Sequence, residues 1–185
     1  MQYEFDGRTP VISSTAYVSD LATVIGDVVI AENCYIGHGA ILRGDYGRIE
    51  IGPGTAVEEG VIIHAPPEHV SQIGQKVTLG HGAIIHGNRI ADFAVIGMGA
   101  ILSIWSEVGE WAIVAEGAIV KLRQRIPDHV VAAGNPASII RDISSQDQEL
   151  WNYGKQLYID LAAKYLQTGL HCLPADNNVT SGRRP

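Results

Sequence analysis

The sequence predicts a mainly β fold in which short strands wind into a three-sided parallel helix, closed at its C-terminal end by one α-helix. Three observations carry this expectation. Large aliphatic residues recur at every sixth position, as in Ile12, Val18, Val24, Ile30, Ile36 and Leu42. Two residues before most of them stands a small one: Ala16, Ala22, Cys34, Ala40, Thr55, Ala94, Ala100, Ser106, Ala112 and Ala118. Glycine marks many of the turns between, at Gly26, Gly37, Gly52, Gly80, Gly97 and Gly109. Side chains two apart on an extended chain share a face, so each step offers one large and one small inward group. Neither an amphipathic helix nor an ordinary alternating strand has this rhythm. A strand and turn repeated many times is the signature of a solenoid, whose stacked units bury one continuous core.

After the first run the phase slips by three, and the pattern resumes at Ile51, Val57 and Ile63. Following a second interruption, the inward series is expected to run through Ile84, Ile90, Ile96, Leu102, Val108, Val114, Val120 and Ile126. The stretch GNPASIIR, residues 134–141, is a turn-rich exit. From about Ser144 to Thr168 a helix is expected, capped by Ser144, with Leu150, Leu157, Leu161, Tyr165 and Leu166 on or near one stripe. That helix packs on the outside of the coil or on a neighbouring subunit. The chain therefore divides into a β-helix with its lead-in over 1–143, the helix over 144–173 and a polar tail over 174–185 that is expected to be disordered.

Composition narrows the function. The 185 residues suit one domain of ordinary size. With 13 Lys plus Arg against 20 Asp plus Glu, the net charge of −7 offers no basic face for nucleic acid or an anionic membrane. The opening MQYEFDGRTP lacks a signal-peptide pattern, and no apolar run approaches the roughly 20 residues of a membrane span. Two cysteines make no disulfide framework; Cys34 falls on a small inward position and is expected to fill the core. A cytoplasmic enzyme is the simplest expectation.

The chemistry sits in three histidines, His64, His81 and His86. With three sides to a coil, Leu42 stacks on Ile63, which places Arg43 beside His64 on an outer face, with Asp45 in the following turn. His81 and His86 are five residues apart, so on an extended strand their Cα atoms are separated by roughly 16 Å. Two imidazoles, each about 2.1 Å from one ion, do not easily span that gap. Either a sharp corner shortens it, or a ligand comes from a second chain, and a three-sided prism packs naturally as a homotrimer. His38, His69, His129 and His171 lack comparable context and are expected to be structural or solvated.

The segments RGDYGRIEIG (43–52), EEGVIIH ending at His64, and LGHGAIIHGN (79–88) resemble the γ-class carbonic anhydrase family, and IGMGAIL (96–102) with GNPASIIR extends the likeness from Gly7 to about Ser145. The resemblance implies a left-handed parallel β-helix of hexapeptide repeats packed as a trimer. It further implies a metal held by His64 and His86 of one subunit and His81 of its neighbour, with Arg43 and Asp45 near the metal and interface. Three neutral imidazoles leave one coordination position open. Zn2+ suits them, and Fe2+ or Co2+ would also fit. The implied reaction is the reversible hydration of CO2 to bicarbonate, a metal-dependent lyase activity.

This sequence departs from that family's pattern in several places. Glu58 and Glu59 stand where Gln-Asp is usual, so Glu59 takes over the pairing with Arg43, and Glu58 brings a carboxylate near the ion. Tyr46 follows Asp45 in place of an acidic residue. On the loop APPEHVSQIGQK (65–76), Glu68 is the single candidate proton shuttle. Asn88 replaces a common cysteine. The RGDYGRI spelling and the ELWNYGKQLYIDLAAKY helix also resemble a subgroup associated with phenylacetate degradation and carnitine metabolism. Two alternatives follow: metal-dependent hydrolysis of an acyl-CoA thioester with Glu58 as general base, or a non-catalytic trimeric scaffold with a vestigial metal.

Overall fold

A computed structural model of the chain describes residues 1–87 and 89–173. Asn88 and the tail expected over 174–185 lie outside the described residues. The chain winds into a parallel β-solenoid of about seven turns, followed by one helix. One face is an eight-stranded sheet that starts at Tyr17–Val18, ends with Val130–Ala133 and is closed by the antiparallel strand Ser138–Asp142. The other two faces form a single twelve-stranded sheet, because two long strands, Thr23–Ile30 and Ile41–Ile51, run round the corner between them. The first part of Ile41–Ile51 pairs with Ile62–His64 and its second part with Val70–Ile73.

The six-residue period is realised as a stack of inward side chains. Val24, Ile30, Ile36, Leu42, Ile51, Val57 and Ile63 are buried, as are the small inward residues Ala22, Cys34, Ala40, Thr55, Ala94, Ala100, Ser106, Ala112 and Ala118. In-register pairing stacks like on like, as in Ile36 over Val57 and Leu79 over Ile96. A corner near the first histidine explains one glycine of the Arg43-Gly44-Asp45 turn. A Cβ on Gly44 would run into the Asp27 carbonyl oxygen on the next coil.

One inward assignment is corrected. Ile84 faces outward and is 39% exposed, while Ile85 is fully buried. Ile85 pairs with Ile63, and Ile84 with Ile62, while Ile90 and Ile96 are inward as expected, so one step of the series, from Ile85 to Ile90, is five residues instead of six. The eight-stranded face shows where the period is broken. Its columns run Val18, Ile36, Val57, Leu79, Ile96, Val114 and Ala132, giving coils of 18, 21, 22, 17, 18 and 18 residues. The three irregular coils are the ones that carry Arg43, His64 and His86.

The helix Ser145–Thr168 (α1) begins with a capping box: Ser144 accepts from the Asp147 amide, and Asp147 accepts from the Ser144 amide. It packs on the eight-stranded face, against Tyr17–Val18, Tyr35–Ile36 and Ala56–Val57. Tyr17, Tyr35 and Ala162 form its buried contact, with Tyr158, Leu161 and Tyr165 packed around them. The expected leucine stripe is corrected here. Leu161 and Tyr165 face the solenoid, but Leu150, Leu157 and Leu166 are exposed, and Lys155 is buried instead. Tyrosines on the solenoid set the phase: Tyr165 stacks on Tyr17 at 4.5 Å between ring centroids, and Tyr158 lies 5.2 Å from Tyr35.

Candidate metal centre

His64 ends the strand Ile62–His64 and His86 ends Ile84–His86. Strand pairing aligns Arg43 with His64 and His64 with His86, so the three form one outward column on successive coils. Alternation along these strands turns the inward residue before each histidine into the core and the histidine out of it. The two imidazoles lie face to face, 5.0 Å between centroids and 22° between planes.

Arg43 Nη1 donates to Asp45 Oδ2 at 2.6 Å, and Asp45 Oδ1 lies 3.3 Å from His64 Nε2. That second contact is misaligned for a hydrogen bond, and the buried His64 Nε2 has no hydrogen-bond partner. A buried ring nitrogen without a partner is costly unless something else takes its lone pair. Burial pushes the His64 pKa down, helped by the charges of Arg43 and His86 and opposed by Asp45, which favours the neutral imidazole a metal requires. Burial raises the Asp45 carboxyl, but the Arg43 hydrogen bond and charge outweigh it and hold it below its ordinary value.

His81 is not part of this column. It follows the strand Thr78–Leu79 at the corner of the eight-stranded face, where two carboxylates hold it. Its Nδ1 lies 2.8 Å from Glu59 Oε2, its Nε2 lies 3.1 Å from Glu58 Oε2, and its amide donates to the same Glu58 oxygen at 3.1 Å. Glu59 also accepts from the Tyr35 hydroxyl at 2.6 Å. Burial raises the Glu59 carboxyl, yet the hydrogen bond from Tyr35 and the charge of His81 leave it below its ordinary value. Glu58 is only 5% exposed, and burial raises its pKa against the opposing effects of His81 and a hydrogen bond from Tyr158.

Within one chain the structure thus joins His64, His86, Arg43 and Asp45 at one place, and His81, Glu58 and Glu59 at another. Among the described residues no three potential ligands of a single chain converge. Glu59 is engaged by Tyr35 and His81, not by Arg43, whose partner in the chain is Asp45. Glu68 sits exposed in a left-handed turn with φ 57°. The donor set of the first cluster fits a borderline metal: two stacked, outward imidazoles, one with an orphaned nitrogen, beside a carboxylate fixed by arginine.

Beside the histidine column runs a second one. Ile41, Ile62, Ile84, Ile101 and Ile119 stack in register two residues before Arg43, His64, His86 and their counterparts. Ile41, Ile62 and Ile84 are 37%, 38% and 39% exposed, an apolar stripe alongside the imidazoles. Sequence reasoning missed this stripe, along with Tyr35, Tyr158 and Lys155. The repeated Ile-Ile-His at 62–64 and 84–86 was the legible signal for the stripe; nothing local marks the other three.

No protein-family model matches the chain. Among curated relatives, it is 35% identical over 162 residues to the carnitine operon protein CaiE of Escherichia coli K12, covering 88% of this chain and 83% of that protein. It is 36% identical over 161 residues to the mitochondrial gamma carbonic anhydrase 2 of Arabidopsis thaliana, covering 84% of this chain but only 58% of the plant protein's length. Among solved structures, a hexapeptide transferase family protein from Anaplasma phagocytophilum superposes with a TM-score of 0.85 at 30% identity, over 89% of this chain and 97% of that one. No helix among the described residues is long and apolar enough to cross a membrane. Sequence identity sustained along most of both chains, on a shared solenoid, places this protein in the family that unites CaiE with the γ-class carbonic anhydrases.

Proposed function

We propose that three chains assemble as left-handed solenoids, with His64 and His86 of one and His81 of the next holding Zn2+, or Fe2+ or Co2+ in its place. We further propose that this site catalyses the reversible hydration of CO2. The observation that carries the reading is the pair of stacked imidazoles with the unpartnered His64 Nε2. The isoleucine stripe beside it supports a subunit interface at the same place, since association would cover it. A bound ion of this class supplies Lewis acidity and acidifies water, which brings hydroxide chemistry to neutral pH.

The chain's own groups do the rest. Glu59 engages His81 Nδ1, which fixes the ring and leaves Nε2 as the ligating nitrogen. Glu58 Oε2, beside that nitrogen, is the group placed to take a proton, and burial brings its pKa closer to neutrality. Arg43 holds Asp45 as a carboxylate next to His64. Glu68, exposed on the loop after His64, serves as the proton's exit to solvent.

Stopped-flow CO2 hydration, on protein with verified zinc or iron, tests this beside a panel of acyl-CoA thioesters. Metal-dependent hydration that disappears in His81→Ala is the expected result. Thioester turnover without hydration overturns it in favour of a hydrolase that uses Glu58 as base. A metal-loaded trimer inert to both substrates overturns it in favour of a scaffold.

A further inference from the structure

Helix α1 buries the wrong residue for simple packing. Lys155 is 2% exposed, while Leu150 and Leu157 on the same helix are 65% and 49% exposed. Burying an amine costs free energy that a buried leucine would not. Departures of this kind concentrate where a residue has a task beyond packing.

The contacts show what the amine reaches. Lys155 Nζ donates to Thr78 Oγ1 at 3.2 Å and to the Ala94 carbonyl oxygen at 3.3 Å. The Thr78 amide donates to that same carbonyl at 3.0 Å, so the amine ties two successive coils at one point. Thr78 opens the strand Thr78–Leu79, which leads directly into His81. Three residues further along α1, on the same helical face, Tyr158 lies beside Glu58, near enough for each group to shift the other's pKa. Glu58 in turn holds the His81 amide and faces its Nε2. A hydrocarbon of the same length in place of Lys155 would fill the space but bind neither oxygen.

We propose that Lys155 is a positioning residue for His81: it clamps the start of the 78–81 segment to α1, while Glu58, beside Tyr158 of the same helix, holds the segment's end. The C-terminal helix is then a working part of the metal centre shared with the adjacent subunit. The inference rests on the reading that His81 is a metal ligand. It adds a residue that touches neither metal nor substrate and acts through the placement of the ligand.

The test compares Lys155→Met and Thr78→Val with the control Leu157→Ala, which alters the exposed side of the same helix. The first readout is amide hydrogen exchange in metal-free protein, followed on the peptide spanning residues 78–82. Both clamp variants are expected to speed exchange there about tenfold or more while the remaining solenoid peptides stay protected. The second readout is zinc affinity by chelator competition, expected to fall roughly ten- to a hundredfold. Leu157→Ala is expected to change neither. Unchanged exchange in the 78–82 peptide of either folded clamp variant overturns the proposal. If the unaltered protein binds no zinc, the metal reading falls, and the exchange measurement still decides whether the clamp exists.

Discussion

His64 and His86 lie on successive coils with their rings 5.0 Å apart and nearly parallel. Their backbones are paired in register, so the stacking follows from the solenoid itself rather than from any contact between the rings. Two imidazolium ions at that separation would repel, and the chain adds Arg43 to the same column. The arrangement favours a neutral His64, whose unpartnered Nε2 is left for an ion. A three-histidine site as proposed on these two rings would need its third ligand from another chain.

That incompleteness gives a complementation experiment. His64→Ala and His81→Ala proteins are each expected to be inactive and to lose most of their metal. When they are unfolded together and reassembled in equal amounts, about one interface in four pairs an intact His64 and His86 with an intact His81. Recovered hydration and metal content near that fraction is the expected outcome; a mixture as inactive as its components would rule out a site shared between chains.

The outward isoleucines should govern assembly. Ile62→Glu puts a charge in the middle of the stripe, and the expected result is a chain that keeps its β-sheet circular dichroism but elutes as a monomer. Light scattering after size exclusion checks this directly. A mutant that stays trimeric would move the interface to another face.

The corrected phase is testable by stability. Ile85 is fully buried and Ile84 is 39% exposed. Ile85→Ala is expected to cost about 2–5 kcal/mol through the cavity it leaves, whereas Ile84→Ala in monomeric protein is expected to cost well under half as much. Urea unfolding in the Ile62→Glu background separates the two, free of the interface.

Lys155 predicts a pH dependence. Burial pushes its pKa down to about 7, against a small opposing effect of Glu58, from an unfolded value of 10.5. Between these values the unfolded chain holds a proton that the folded chain has released. Stability therefore rises with pH across that window, by at most about 1.4 kcal/mol per pH unit, and is flat below it. The difference between unaltered protein and Lys155→Met, from urea unfolding at pH 7, 8 and 9, should show this slope. Parallel curves would mean the amine is charged in the fold.

Much of the fold could be read in the sequence because a solenoid writes its core one coil at a time. Val24 and Leu42 were placed inward by counting sixes, and Ile63 by resuming the count after a slip of three; each is fully buried. The count failed at Ile84 because the coil from Leu79 to Ile96 is one residue shorter than the regular 18, and the missing residue falls between the inward Ile85 and Ile90. A physical marker did survive the short step: His64 and His86 each directly follow an inward isoleucine. In the helix, leucines suggested the buried side, but the solenoid offered it Tyr17 and Tyr35, and tyrosines on α1 answered. The Arg43–His64 neighbourhood was legible from the repeat; the Glu58–Tyr158 and Lys155–Thr78 contacts were not, because they join segments about 80 to 100 residues apart in the chain.

The three unequal coils carry one more implication. Each coil touches only the coils above and below, so stability accumulates along the stack by neighbouring pairs. The irregular lengths are confined to the consecutive coils that bear Arg43, His64 and His86, while those beyond Ile96 return to 18 residues. Below that level the stack is a spacer, which sets how far the hairpin at Val130–Ala133 and the start of α1 lie from the imidazoles. Duplicating or deleting one coil there would force α1 to start a rung lower or higher, so the tolerated number of coils is set by the reach of the returning helix and not by the solenoid.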